Sequence, residues 1–459
     1  MGLNFIDQLA DIIVSPLGLA GIIIGLVVVY QAGRSRRLAW LLFTLCCFSA
    51  SLGKFQSEFI KATPPLVFPL EQLRSVGRPL TIVLLALLLV LGLQKQYGWH
   101  RKLIAPPIKY LVLVQLVIFF KTLAYGSIGF AFLAFLTFGA VVLMFRFGPS
   151  RWLQDEHNFR LGVWSLAMVG VIFIVANIYQ AVFNTYPIMF IHGRFSGTTA
   201  NPQQAAALLG ATIPCCMFFV ESREQSLKVK LYWIIGLVLI MLGLFLTGSR
   251  TGVLMGLVSI LFFYRRRGGI ALRLGMSIAI ILAVILPLIS QDGLLLATDQ
   301  TQITDRFTSI NDSRSHVWLA MWNTFINNPF FGAPLRADRL GYGENSWLAA
   351  GANLGLLGFI PLVIFGLVCI KLTFSLNQLE KRKPAYSLQC DTVIAGLISL
   401  FVGSFFEAFL LGNLTFFLMS LLMYLSLGNY LIEVDYMQRK YLPRYRVFSM
   451  NRESNAFHN

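Results

Sequence analysis

Thirteen apolar runs, most of them near the length that crosses a bilayer, dominate this 459-residue chain. They read as 12–30, 38–53, 79–94, 108–124, 128–146, 161–183, 204–220, 232–247, 252–264, 274–290, 347–370, 391–411 and 414–432. Backbone polar groups have no water to bind inside hydrocarbon, so such runs must form helices. The expected fold class is therefore all-α, a polytopic transmembrane bundle of about 12–13 spans, read as a single integral membrane domain over 1–459. The runs 38–53 and 252–264 are short and call for tilting or re-entry.

Charge placement tests the path. Only 12% of residues are charged, against 57% hydrophobic, yet the net charge is +17. The alternating segments 31–37, 95–109, 146–160, 221–231, 265–273, 371–390 and 433–459 hold 26 of the 37 Lys and Arg residues. The opposite set, 54–78, 184–203, 248–251 and 291–346, holds 10, and Lys121 lies in a run. By the positive-inside rule the first set is cytoplasmic, including a basic tail at 433–459. The second set faces outside. Cations that punctuate apolar runs argue against a nucleic-acid partner; the lipid bilayer is the partner they imply. No positively charged stretch precedes the first run, so no cleavable signal peptide is expected. Lys121, close enough to a span end to snorkel, receives no role.

The outer side has one long loop, 291–346, expected to contain short helices. One is expected at 313–327, capped by Asp312 or Ser313 and followed by Pro329. Trp318, Met321, Trp322 and Phe325 follow i, i+3, i+4, i+7 spacing and define an apolar face. That face either lies on the membrane or packs against the bundle.

Outer arginines are few, so each needs a reason. Arg194 directly precedes a helix start at Asn201-Pro202, an N-cap followed by a first-turn proline. Arg250 lies in a tight turn between two spans, flanked by Gly248 and Gly252. Two guanidinium forks beside a helix N-terminus suit a pyrophosphate. Alternatively, both arginines snorkel to lipid phosphates or pair with acids of the long loop. Neither segment has the Gly-x-x-x-x-Gly-Lys spacing of a Walker loop. Arg74 and Arg78 stand at i, i+4 in the first outer loop and either extend a phosphate or acidic-glycan site or anchor at the interface.

Two carboxylates complete the set. Glu344 immediately precedes a span, where desolvation would raise its pKa and let it take a proton from a hydroxyl. The competing role is neutralisation of an outer arginine, Arg194 or Arg314. Glu407, near the outer end of its span, is a functional candidate by its depth, with a structural ion pair as the alternative. His316 has no second histidine at metal-ligand spacing, so no metal site and no cofactor are expected.

Three segments together resemble the O-antigen ligase and Wzy-type O-antigen polymerase family of bacterial membrane glycosyltransferases. They are Arg194-Phe-Ser-Gly-Thr-Thr-Ala-Asn-Pro, Thr247-Gly-Ser-Arg-Thr-Gly, and the stretch from Arg314 through Trp318, Asn328-Pro329, Gly332 and Asn345 to Gly355-Leu-Leu-Gly358. The similarity covers about residues 190–365. It implies a GT-C-like fold and transfer of a glycan from an undecaprenyl-pyrophosphate donor to an acceptor hydroxyl on a glycan or lipid-linked glycan. It also implies that the outer side is the periplasmic face of a bacterial inner membrane and that Arg194 and Arg250 hold the donor diphosphate. Arg314, Asn345 and Asn201 in the matching segments, and Arg74, Arg78 and Glu407 from their positions, are further substrate-binding candidates, and a chain-length regulator or flippase is a candidate protein partner. Ligases of the family typically place a His before the Asn that corresponds to Asn345; this chain has Glu344. The departure favours Glu344 as the base and a polysaccharide polymerase over a ligase to lipid A core.

A lipid-linked sugar transporter or flippase is the competing class. No internal repeat supports it, and the notable charges cluster on one face. An inactive scaffold is the third reading.

Overall fold

The computed structural model describes residues 27, 30–54, 63–93, 105–266, 314–334, 344–412 and 414–456, with side chains placed up to residue 440. Among these residues the chain is helical, and its single isolated bridge joins Ile191 to Arg194. The helices are α1 (Arg36–Ser51), α2 (Leu70–Ser75), α3 (Gly77–Leu93), α4 (Ile108–Tyr125), α5 (Ile128–Phe147), α6 (Pro149–Trp152), α7 (Glu156–Phe183) and α8 (Tyr186–Met189). They continue as α9 (Pro202–Glu221), α10 (Leu227–Leu246), α11 (Arg250–Phe263), α12 (Ser315–Asn327), α13 (Ser346–Arg382), α14 (Ser387–Phe406) and α15 (Phe416–Ala456).

Among the described residues, eight helical stretches are long and apolar enough to cross a membrane. Three further expected spans coincide with the shorter helices α1, α3 and α11. The runs 12–30 and 274–290 lie outside the described residues, apart from Val27 and Tyr30.

Burial separates centre from rim. The apolar window of α9 is 83% buried and that of α15 78%, whereas that of α10 is 22% buried. Small residues explain the central position of α9: Ala205, Ala206, Ala207, Gly210 and Ala211 let neighbours approach closely. A Cβ on Gly252 of α11 would lie 2.5 Å from the Ala206 Cβ. By contrast, α10 exposes Leu231, Ile234, Ile235, Val238 and Leu242, an outward apolar face suited to lipid.

The two sets of charged segments gather at opposite ends. At one end Arg36 pairs with Asp155 at 3.0 Å, Arg160 with Glu224 at 2.5 Å, Arg265 with Asp391 at 2.6 Å and Lys383 with Asp435 at 3.0 Å. All of these belong to the segments expected in the cytoplasm or to span ends beside them. At the other end Gly53 N–H donates to the Thr198 carbonyl at 3.2 Å and Phe195 N–H to the Leu246 carbonyl at 3.0 Å.

Helix α13 is broken at Gly355, whose φ of +63° is non-helical. A break inside a span frees backbone groups that hydrocarbon cannot satisfy. The long loop satisfies them. Leu356 N–H donates to the Pro329 carbonyl at 2.7 Å, and Ala333 N–H donates to the Ala352 carbonyl at 2.8 Å. Lys121 of α4 supplies the rest, donating through Nζ to the Phe331 carbonyl at 2.5 Å and to the Asn353 carbonyl. Lys121 is thus 7% exposed and does not snorkel; its ammonium is drawn inward because two carbonyls need a donor. Gly332 (φ +70°) and Gly355 make the contact possible, since a Cβ on Gly332 would lie 2.4 Å from the Asn353 carbonyl carbon.

Helix α12 begins one to two residues later than expected. Its N-cap position is Arg314, with no side-chain cap bond; Asp312 and Ser313 lie outside the described residues. Met321 and Trp318 pack on α13 and α14, with the Trp318 ring 6.0 Å from that of Phe406. Trp322 departs from the expected packing face: it is 47% exposed, in line with exposed Leu319 and Ile326. The helix therefore has two apolar faces, one packed on the bundle and one open.

Candidate functional site

Arg194 is set by a tight reversal. His192 (φ +52°) and Gly193 (φ +64°) are both left-handed, the pattern of a type I′ turn, and Arg194 N–H closes it on the Ile191 carbonyl at 3.0 Å. The next residue, Phe195, packs its ring 5.7 Å from Phe173 of α7. Arg194 is thereby buried at 5% exposure, and its Nε donates to the Thr247 carbonyl at 2.8 Å. The following Gly248 has φ +57°, and a Cβ there would sit 3.4 Å from the Arg194 Nε. The two sequence segments are one unit: the guanidinium lies against the glycine of the turn that bears Arg250.

That turn starts α11. Ser249 caps it, accepting from Gly252 N–H at 3.2 Å, and Arg250 is its first residue. Arg314 arrives from α12 and donates through Nη1 to the Thr251 hydroxyl at 3.1 Å. Arg194 and Arg314 therefore converge from two other elements on residues 247–251, the turn that bears Arg250, at a helix N-terminus whose dipole also favours an anion.

The acids sit on the Arg314 side. Glu407, the residue after α14, accepts from Arg314 Nη2 at 2.8 Å and is 13% exposed at its side chain. Burial pushes the Glu407 carboxyl up to about 7 against the pull of Arg314, and the neighbouring Glu344 charge adds to the rise. Glu344 forms an ion pair with Arg314 Nε at 3.4 Å and keeps 41% of its side chain exposed. Of the two roles expected for Glu344, the pairing with Arg314 is formed, through an Oε2 that is itself buried. Glu407 is the more buried side chain of the two acids.

Asn345 and Ser346 explain the rest of that motif. The Asn345 side chain caps α13, accepting from Trp347 N–H at 2.8 Å and Leu348 N–H at 3.0 Å. The Ser346 hydroxyl donates to the Glu407 carbonyl at 2.6 Å and accepts from Leu410 N–H at 3.2 Å. Both side chains fix the backbone that presents the two acids. Thr251, Ser346 and Lys121 were not candidates from sequence, because a hydroxyl or a lone lysine at a span end carries no signal without its partner.

The other nominated residues lie elsewhere or are spent locally. Asn201 is the expected N-cap, accepting from Gln204 N–H at 2.8 Å. Arg74 is 4% exposed and donates through Nη2 to Glu71 at 2.6 Å and to the Pro64 carbonyl at 2.7 Å. Arg78 is exposed on α3. Arg74 and Arg78 line a separate cavity. Among the described residues no three His, Cys, Asp or Glu side chains gather as metal ligands.

Residues 235–363 match the family model described as O-antigen ligase. That segment is similar to the O-antigen ligase family over 129 of the 459 residues. It runs from within α10 through the Arg250 turn, Arg314 and Glu344 to just beyond the Gly355 break. Arg194 and Glu407 lie outside it, so the site is completed from both flanks of the matched segment. No curated protein matches this chain. The match agrees with the eight membrane-length apolar stretches among the described residues, so the chain is a multi-pass helical protein similar to O-antigen ligases.

Proposed function

We propose that the chain moves a glycan from a polyprenyl pyrophosphate, undecaprenyl pyrophosphate by family likeness, to an acceptor sugar hydroxyl at the periplasmic face of the inner membrane. The convergence of Arg194 and Arg314 on the 247–251 turn that bears Arg250 carries the reading. Guanidinium forks and a helix N-terminus match a diphosphate. Charge develops on that group as the anomeric bond breaks, so fixed cations stabilise the transition state more than the ground state.

The acceptor oxygen forms the new bond to the anomeric carbon, and the bond to the pyrophosphate oxygen breaks. Glu344, the more exposed of the two carboxylates, takes the acceptor proton. Glu407 acts through Arg314: when protonated it ceases to compete with the diphosphate for that guanidinium. The proposed chemistry is metal-independent. Polymerisation is the first reading, because Glu344 stands where family ligases typically carry His. Ligation to lipid A core is the second, favoured by the description of the matched family model.

Reconstitution with purified lipid-linked oligosaccharide tests both. Lengthened lipid-linked chains are expected; glycan on lipid A core instead would establish the ligase. Arg250→Ala is expected to abolish transfer while thermal stability is kept. Normal transfer by Arg250→Ala would sink the donor assignment.

A further inference from the structure

A cavity of about 430 Å³ opens between the end of α1, the α2–α3 junction, the start of α9 and the start of α15. Its volume falls in the range of small-ligand sites. Lys54, Arg74, Arg78 and Gln204 line it, together with apolar Leu208, Phe409 and Phe417. None of the arginines of the 247–251 turn contributes to it.

Its charge is unbalanced. The carboxylate of Glu71 holds two of the cations, Lys54 at 2.8 Å and Arg74 at 2.6 Å. Arg78 forms no hydrogen bond or ion pair among the described residues. The buried Arg74 also keeps an Nε with no hydrogen-bond partner among those residues. Leaving a buried donor unpaired is unfavourable, and an anionic oxygen would recover that loss. A cation without an acid, an unpaired buried guanidinium N–H and apolar walls together fit a phosphate ester that carries an apolar or sugar portion.

Two stretches of chain join this cavity to the arginine cluster. The loop that starts at Arg194 reaches the cavity wall at Thr199 and Ala200, and Phe409 of the wall is two residues beyond Glu407. The cavity is thus joined through the chain to both the Arg194 loop and the Glu407 turn, while none of the cluster's arginines lines it. We infer that this cavity seats the phosphate-bearing end of a lipid-linked acceptor, giving the enzyme two separate anion sites. This rests on the transfer reading above.

The test uses Arg78→Gln in the full chain, in proteoliposomes with donor and acceptor varied separately. Arg78 is exposed, so the fold is expected to survive. The acceptor KM should rise about tenfold or more, the donor KM should stay within about twofold, and Arg78→Lys should recover part of the loss. Inorganic pyrophosphate should compete with acceptor in the parent protein and lose that competition in Arg78→Gln.

An unchanged acceptor KM, or a rise confined to the donor, would overturn the inference. Replacing phosphatidylcholine by phosphatidylglycerol gives the second arm. If that change alone raises the acceptor KM of the parent protein but not of Arg78→Gln, bulk lipid phosphate fills the cavity and the acceptor assignment falls. Loss of transfer in Arg250→Ala with no acceptor effect in Arg78→Gln would reject this inference alone. Full transfer in Arg250→Ala would reject the reading beneath it.

Discussion

Replacing Glu407 by Gln should make the protein more stable at pH 8 than its parent, although it removes a partner of Arg314. Burial carries the Glu407 carboxyl from an ordinary 4.5 to about 7, with Arg314, Arg194 and Glu344 as the charges around it. Below about pH 4.5 the group is protonated folded or unfolded, and it contributes no pH dependence. As pH rises towards 7 the unfolded chain ionises freely while the folded chain still holds the proton, so stability falls. The fall is complete above about pH 7 and amounts to about 3 kcal/mol at 1.36 kcal/mol per unit.

Gln keeps the shape of the neutral acid and does not titrate. The difference in melting temperature between Glu407→Gln and parent, measured on detergent-solubilised protein, should therefore widen by several degrees between pH 5 and pH 8. Taking the difference between variants cancels every other titrating group. A gap that is equal at both pH values, or that shrinks at pH 8, would refute the reasoning: Glu407 would then be an ordinary ion-paired carboxylate. The same variant should retain transfer, since it resembles the protonated state that leaves Arg314 to the diphosphate.

Glu344→Gln should abolish transfer with the fold intact, measured as loss of product from reconstituted donor and acceptor at normal thermal stability. Lys121→Met should destabilise by about 3 kcal/mol, because two buried carbonyls lose their donor at about 1–3 kcal/mol each, and the thermal melt reads it. Gly355→Ala should prevent accumulation of folded protein: its Cβ would lie 2.3 Å from the Phe330 carbonyl oxygen, and φ is +63°. Gly248→Ala should cost about 1–2 kcal/mol for a left-handed alanine and raise the donor KM by pressing on Arg194.

What the sequence made legible follows from periodicity and local chemistry. Apolar runs, the Asn201-Pro202 start and the glycines around Arg250 each declare a backbone state within a few residues, and the structure has them where the spacing predicts. The 4-residue spacing of Arg74 and Arg78 was equally plain, but it could not show that Arg74 is absorbed by Glu71 and a carbonyl while Arg78 is not. Partners separated by more than a few dozen residues are invisible to periodicity: Arg314 meets Glu407 across 93 positions, and Lys121 meets Asn353 across 232.

The different burial of the two acids has the same origin. Glu344 and Glu407 both stand beside a span end, so depth along the sequence ranked them equally. Depth along the membrane axis is not burial, because a helix end can face the bundle or open water at the same height. Ser346 separates them by bonding the Glu407 carbonyl and drawing that residue under the start of α13, while Glu344 keeps more of its side chain exposed. One arginine then faces two acids of different burial. The matched segment reaches Glu344 and not Glu407, so the pair of acids around Arg314 is completed by a residue from beyond that segment.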